Sequence, residues 1–163
     1  MQVAAFLTLS AVAAAALDQA KSRKPKPSGT VVFVCEHGNV KSLIAREWFN
    51  RLAADRGLGV RAVSRGVTPE TSVPPGIADA LRGDGFDVSG FEPRAFRAAD
   101  VAGAVLIVGI GVDLTSSGER GGAALETWEG IPPASERHAA SRDALRARIE
   151  ALLNTVERAE SRR

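Results

Sequence analysis

The sequence is short of the residues that many functional sites need, since it has one cysteine and two histidines. A single cysteine excludes an internal disulfide and a zinc site built from several thiolates, and the spacing of His37 and His138 matches no metal-ligand motif. The formal net charge is only +2, and the basic residues form no dense patch interleaved with aromatic residues. We therefore expect no metal site and no nucleic-acid partner.

Long apolar runs are also scarce, and one of them lies at the N terminus. Residues 3–17 carry no charge, but this run is shorter than the roughly 20 residues that a membrane-spanning helix needs. Small residues at positions 13–16 offer a signal-peptidase site, although no Lys or Arg precedes the run. The pattern predicts a signal peptide over residues 1–20, export to the periplasm or the cell exterior, and no stable membrane span. A cytoplasmic protein with an N-terminal helix or a misassigned start is the alternative.

The rest of the chain has the composition of one folded domain. With 163 residues, of which 45% are hydrophobic and 25% charged, the chain can bury one sizeable core. Residues 21–29 contain two prolines and four basic residues without an apolar anchor, which predicts a basic, Pro-rich linker. The folded domain is predicted over residues 30–158, followed by a charged tail at 159–163.

Strand and helix patterns alternate along this domain. Apolar, β-branched segments predict strands at 30–34, 60–67 and 102–111. Apolar stripes at helical spacing predict helices after the first and second strands and at the C terminus. The alternation predicts a three-layer α/β fold, in which an open parallel sheet has helices on both faces.

Cys35 directly follows the first predicted strand, at the edge of a parallel sheet where ligands bind. The five residues after it are predicted to turn the chain so that backbone N–H groups bind an oxyanion at the start of the next helix. This loop consists of Glu36, His37, Gly38, Asn39 and Val40. Gly38 and Asn39 are residue types that tolerate the left-handed conformations of such a turn.

Two further side chains complete the predicted site. Lys41 would bring a positive charge to the same anion, and Ser42 a hydroxyl able to donate to a thiolate. The helix dipole and these donors favour the thiolate of Cys35, which is the nucleophilic form. The pattern therefore predicts a loop for phosphate-like oxyanions with a nucleophile at its base. The alternative is that Cys35 is a small buried apolar residue.

The stretch VVFVCEHGNVKS, from Val31 to Ser42, resembles the strand and phosphate loop of the low-molecular-weight protein tyrosine phosphatases and the related arsenate reductases. The family signature is Cys, five residues, Arg, Ser. Weaker similarities in order and spacing continue to about Val156. The resemblance implies about four parallel strands, no cofactor, and a small phosphate-like oxyanion or a phosphorylated molecule as ligand. It also implies hydrolysis of phosphate monoesters through a cysteinyl-phosphate, and protein phosphotyrosine is one of the candidate substrates.

Two departures from the family pattern bear on activity. Lys41 replaces the family's arginine, and an ammonium group cannot make a planar, two-pronged contact with two phosphate oxygens. Pro132 stands where the family has the aspartate that acts as general acid, so no proton donor remains at the matched position. Glu129 and Glu126 are nearby carboxylates, with the character of ordinary solvated loop residues. Loss of a general acid typically lowers a rate by about 10²- to 10⁴-fold.

Three functions stay open at this point. The first is a phosphatase-like hydrolase in which Cys35, Lys41 and Ser42 are catalytic. The second is a weak or inactive module that binds an oxyanion or a phosphorylated partner in the same loop. The third is an arsenate reductase that uses an external thiol, because the chain has no further cysteine for an internal relay.

Overall fold

The computed structural model describes residues 29–115 and 122–162. Four strands lie in this part of the chain: β1 (Gly29–Cys35), β2 (Val60–Gly66), β3 (Ala104–Ile110) and β4 (Ala124–Trp128). The helices described are α1 (Lys41–Asp55), α2 (Pro75–Gly83), α3 (Ala98–Val101) and α4 (His138–Ser161). Along the chain, α1 follows β1, α2 and α3 follow β2, and α4 follows β4.

The four strands form one sheet in the order β2-β1-β3-β4, and every neighbouring pair is parallel. β1 is therefore a central strand, and its residues from Val31 to Cys35 are all buried. The register places Cys35 beside Gly66, the last residue of β2. Both strands thus end at the same edge of the sheet, and this edge carries the loop that follows Cys35.

One face of the sheet packs against the three longer helices. Its core contains Phe33 from β1, Phe49 from α1, Leu81 from α2, and Leu145 and Ile149 from α4, all fully buried. Burial of an apolar side chain of this size stabilises the fold by roughly 1.5–3 kcal/mol relative to leaving it exposed. The apolar stripe predicted on the C-terminal helix is therefore part of the main core.

The opposite face has a thinner cover. Val32, Val34 and Ile107 are fully buried there and belong to a cluster with Val101 of α3 and with Leu114. Because α3 is only one turn long, loop segments complete this layer. The predicted parallel α/β sheet with helices is confirmed, and its two covering layers are of very unequal size.

The outer edge of β2 is hydrogen-bonded by groups from outside the four main strands. Asn50 of α1 donates from Nδ2 to the carbonyl of Ala62 at 3.1 Å and accepts from the N–H of the same residue at 2.7 Å. Nearer the end of the strand, the N–H of Gly66 donates to the carbonyl of Arg94, and its carbonyl accepts from the N–H of Phe96. These contacts satisfy backbone groups that an edge strand otherwise exposes.

The segments predicted at the two ends of the chain can be compared with the structure to different extents. The predicted signal peptide at 1–20 lies outside the described residues, as does the linker except for its last position, where β1 begins. At the other end, α4 continues through Ser161 into the segment predicted as a charged tail. The hydroxyl of Ser161 donates to the carbonyl of Glu157 within this last turn, which favours helix over an extended tail. None of the helices described is long and apolar enough to cross a membrane.

Candidate active site

The loop between β1 and α1 divides its backbone donors and acceptors between two sides. Between Cys35 and Val40, five backbone carbonyl groups accept hydrogen bonds from α1 or from other parts of the protein. The acceptors are Cys35, Glu36, His37, Gly38 and Val40, and their donors are Val67, Thr68, Glu70, Ser64 and Ile44, respectively. By contrast, no backbone N–H group of residues 36–43 donates to an oxygen of the described residues. Unpaired N–H groups in a loop that leads into a helix N terminus are the donors of an anion-binding nest.

Two glycines allow this loop to lie directly against the end of β2. Gly38 has a φ of 71°, in the left-handed region that favours glycine. A Cβ on Gly38 would lie 2.7 Å from the backbone nitrogen of Gly66, and a Cβ on Gly66 would lie 2.8 Å from the backbone nitrogen of Gly38. Neither residue can therefore carry a side chain unless the backbone moves.

The thiol of Cys35 lies at the base of the loop, only 5% exposed, beside two buried hydroxyl groups. Its Sγ is 3.0 Å from Oγ of Ser42, and this oxygen is 2.8 Å from Oγ of Ser64. The Ser64 hydroxyl is also 3.0 Å from the carbonyl of Gly38. A thiolate can only accept a hydrogen bond, so with ionised sulfur Ser42 donates to Sγ, and Ser64 shares its single proton between Oγ of Ser42 and the carbonyl of Gly38. The two serines can therefore stabilise the negative charge on sulfur.

A cleft of about 230 Å³ opens beside Cys35. The loop and Lys41 line one side of it, and Gly111 and residues 133–135 line another. Nζ of Lys41 lies 3.7 Å from the position that a Cβ on Gly111 would occupy. Within the described ranges, this ammonium has no ion-pair partner, so its charge is available to an anion in the cleft.

The part of the cleft formed by residues 133–135 contributes no carboxylate, because these residues are Pro, Ala and Ser. Pro132 immediately precedes this segment. Glu126 accepts a hydrogen bond from the indole N–H of Trp128 at 3.1 Å. Both Glu126 and Glu129 are exposed, and neither lines the cleft. The structure thus does not bring either candidate acid to Cys35.

The segment that follows β2 supports the outer part of the loop. Asn39 is fully buried, and its Nδ2 donates to the carboxylate of Glu70 and to the carbonyl of Ser72, both at 2.7 Å. His37 lies at the rim, where its Nδ1 is 3.3 Å from the carbonyl of Thr68 and 3.9 Å from Oε1 of Glu70. Asn39 therefore ties the loop to a neighbouring segment, and His37 lies on the side open to solvent.

Sequence reasoning missed the residues that reach this loop from other segments, namely Ser64, Gly66 and Glu70. The local signal was weak, because VSRGV reads only as the end of a short strand with two small residues. These residues reach the loop through the parallel pairing of β1 with β2, which aligns the last residues of both strands. No cluster of three or more His, Cys, Asp or Glu side chains suited to a metal ion occurs in the part of the chain that the structure describes.

The fold and the loop together define an α/β protein with a cysteine at the base of an anion-binding loop. Residues 30–117, more than half of the chain, match the family of the low molecular weight phosphotyrosine protein phosphatases. The chain belongs to this family, as the resemblance of VVFVCEHGNVKS predicted. A comparison with curated protein sequences finds no match.

Solved structures of similar fold share little sequence with this chain. YfkJ from Bacillus subtilis is 18% identical, with a TM-score of 0.68, and the match covers 83% of this chain and 98% of YfkJ. A low molecular weight protein tyrosine phosphatase from T. tengcongensis is 21% identical, with a TM-score of 0.67 and coverage of 78% and 99%. An arsenate reductase from Archaeoglobus fulgidus is 24% identical, with a TM-score of 0.58 and coverage of 76% and 98%. At these identities the likeness supports the fold, and the chain is a divergent family member.

Proposed function

We propose that the protein hydrolyses phosphate monoesters through a covalent phosphate on Cys35. The observation that carries this proposal is the loop around the thiol. Its backbone carbonyl groups accept hydrogen bonds from the protein, whereas the backbone N–H groups of residues 36–43 donate to no oxygen of the described residues. A phosphoryl group has three oxygens that need donors of this kind, and its charge spreads over them during transfer. Donors already in place need no reorganisation when that charge develops.

The position of the thiol supports a nucleophilic role rather than that of a buried apolar residue. Cys35 lines the cleft although it is only 5% exposed, and its Sγ lies within hydrogen-bond distance of Ser42. A thiol that served only for packing would need neither the hydroxyl pair nor the adjacent unpaired N–H groups. Attack by the thiolate on phosphorus would form the covalent intermediate, and water would then release phosphate and restore the thiolate.

A second candidate function is binding of an oxyanion or a phosphorylated partner without turnover. Two observations favour it: Lys41 supplies a point charge where the family has a planar guanidinium, and residues 133–135 bring no acid to the cleft. Arsenate reduction is the third candidate, since one of the similar structures is an arsenate reductase. With one cysteine, this chain would need an external thiol to complete such a reaction.

The deciding experiment measures turnover of a nitrated phenyl phosphate by the wild-type protein and by the Cys35→Ser and Lys41→Arg variants. We expect turnover that depends on Cys35 and that increases in Lys41→Arg, because a guanidinium can contact two phosphate oxygens. Calorimetric titration of Cys35→Ser with inorganic phosphate or vanadate should show binding to the intact loop.

Each of the other outcomes selects a different conclusion. If turnover by the wild-type protein is no greater than that of Cys35→Ser while oxyanion binding is retained, the protein is a binding module and not an enzyme. Arsenate-dependent consumption of an added thiol, without phosphate release, would favour the reductase. If the protein shows neither oxyanion binding nor turnover, the loop is not an oxyanion site.

A further inference from the structure

One side chain that lines the cleft has the chemistry to transfer a proton at neutral pH, and it is His37. We propose that His37 is the general acid and base of the reaction, in the role that the aspartate at the position of Pro132 has in the family. This inference rests on the proposed function, because a proton donor matters only if a phosphate ester is cleaved. The donor would then belong to the phosphate loop itself, rather than to residues 131–137.

The relative depths of His37 and Cys35 suit an in-line displacement. In such a reaction the leaving oxygen lies on the side of phosphorus opposite the attacking sulfur. Cys35 lies at the base of the cleft, 5% exposed, whereas the side chain of His37 is 50% exposed at the rim. An acid at the rim can approach an oxygen that points away from the base of the loop and towards solvent.

The hydrogen bonds of the ring leave one nitrogen for this task. Nδ1 lies 3.3 Å from the carbonyl of Thr68, and a carbonyl can only accept, so Nδ1 carries a proton. Among the described residues, Nε2 has no hydrogen-bond partner and is the nitrogen that can exchange a proton with a substrate. A ring fixed through one nitrogen with the other free to react is the usual arrangement of a catalytic histidine.

Glu70 is placed to balance the charge of a protonated ring. Its Oε1 is 3.9 Å from Nδ1 of His37, and its Oε2 accepts from the buried amide of Asn39 at 2.7 Å. The N–H of Glu70 also donates to the carbonyl of His37 at 3.3 Å. Glu70 is thus held beside the imidazole by two hydrogen bonds, and we assign it a positioning role.

The other charged groups near the ring are less suited to donate the proton. Glu36 also lines the cleft, but its side chain is exposed and has no hydrogen-bond partner in the described part of the chain, so nothing holds the carboxyl group in place for a proton transfer. Lys41 lies in the same cleft, where its charge is needed by the phosphate oxygens. Residues 133–135 add no charged group.

The two half-reactions balance with this assignment. As the thiolate of Cys35 forms the S–P bond, the P–O bond to the leaving group breaks and its electron pair goes to oxygen, which takes the proton from Nε2 of protonated His37. The neutral ring then accepts a proton from water as the water oxygen bonds to phosphorus. The S–P bond breaks with its electrons returning to sulfur, which releases phosphate and restores both groups.

The test compares His37→Asn with the wild-type protein on two substrates that differ in leaving group. Phosphotyrosine releases a phenol with a pKa of about 10 and needs the acid, whereas a nitrated phenyl phosphate releases a phenolate that is stable without a proton. We expect kcat/KM of His37→Asn to fall about 100-fold or more on phosphotyrosine, and less than about 10-fold on the nitrated ester.

His138→Asn is the matched control, because it removes the chain's other imidazole, which does not line the cleft. The ratio of its kcat/KM on phosphotyrosine to its kcat/KM on the nitrated ester should equal the ratio for the wild-type protein. If His37→Asn lowers both rates by the same factor, or lowers neither, the assignment of His37 is wrong while the proposed function stands. If wild-type turnover equals that of Cys35→Ser on both substrates, the proposed function itself has failed. Calorimetric titration of His37→Asn with inorganic phosphate is the check that the loop of this variant remains folded.

Discussion

The two serines beside Cys35 lead to a prediction about its reactivity that does not depend on any substrate. Ser42→Ala removes the hydroxyl that lies 3.0 Å from Sγ. A hydrogen bond to a charged group contributes about 1.5–3 kcal/mol, which corresponds to a loss of roughly 10- to 150-fold in the ratio of thiolate to thiol. A more basic thiolate is also more nucleophilic, and this recovers about 40–50% of the loss on a logarithmic scale. The net decrease in the rate of alkylation is therefore roughly 3- to 20-fold.

Ser64→Ala should have a smaller effect on alkylation and a larger effect on stability. Ser42 can still donate to Sγ in this variant, although it no longer accepts the hydrogen bond from Ser64. The carbonyl of Gly38 loses its buried donor, which typically destabilises a fold by about 1–3 kcal/mol. In the double variant, Ser64→Ala should slow alkylation no further, because its effect on sulfur passes through Ser42.

The assay is the rate of reaction with iodoacetamide in phosphate-free buffer at mildly acidic pH, where the thiol form predominates in a free cysteine. Ser141→Ala is the control, because Ser141 is also fully buried and its hydroxyl has no hydrogen-bond partner among the described residues. Wild-type reactivity in Ser42→Ala would refute the stabilisation of the thiolate by this hydroxyl. An undiminished effect of Ser64→Ala in the Ser42→Ala background would refute the proposed chain of hydrogen bonds.

Two further predictions concern stability. Gly66→Ala should lower the free energy of unfolding by about 1–3 kcal/mol, since its Cβ would lie 2.8 Å from the nitrogen of Gly38. Gly76→Ala, in an open position of α2, should be neutral or stabilising by up to about 1 kcal/mol in the same urea titrations, and equal losses would contradict the steric argument. Burial raises the pKa of Glu47 above its ordinary value of 4.5, so its stabilising contribution is full below that value and is lost as the pH rises through the folded-state pKa. Glu47→Gln should therefore raise Tm at neutral pH and lose this advantage in acid, while Asp79→Asn, at a site 70% exposed, should show no comparable pH dependence.

The parts of the site that could be predicted from the sequence are those that lie on one continuous stretch. Strand β1, the loop and helix α1 occupy residues 29–55, and their order is set by local patterns of apolar and turn residues. Ser64 of β2 and Glu70 of the segment after it come to the loop through the pairing of β1 with β2, and no local pattern distinguishes them from other polar residues. Their role became visible only when the register between β1 and β2 was known.

The strand β4 shows a second limit of pattern reasoning. In its five residues, Ala124–Trp128, only Trp128 is buried, because β4 lies at the edge of the described sheet. A strand with so little buried surface lacks the continuous apolar run that identified β1 and β3. A fourth strand was expected from the family resemblance, and the segment that forms it was not identified from its own residues.

The double hydrogen bond between Asn50 and Ala62 has a consequence for how this molecule meets other copies of itself. A side-chain amide has one donor and one acceptor side, like a peptide group, and here it occupies the two backbone positions that an incoming strand would use. The sheet is therefore closed at this point to growth by strand addition, without the need for another strand or a covering helix. Self-association through this part of the β2 edge would first have to displace Asn50.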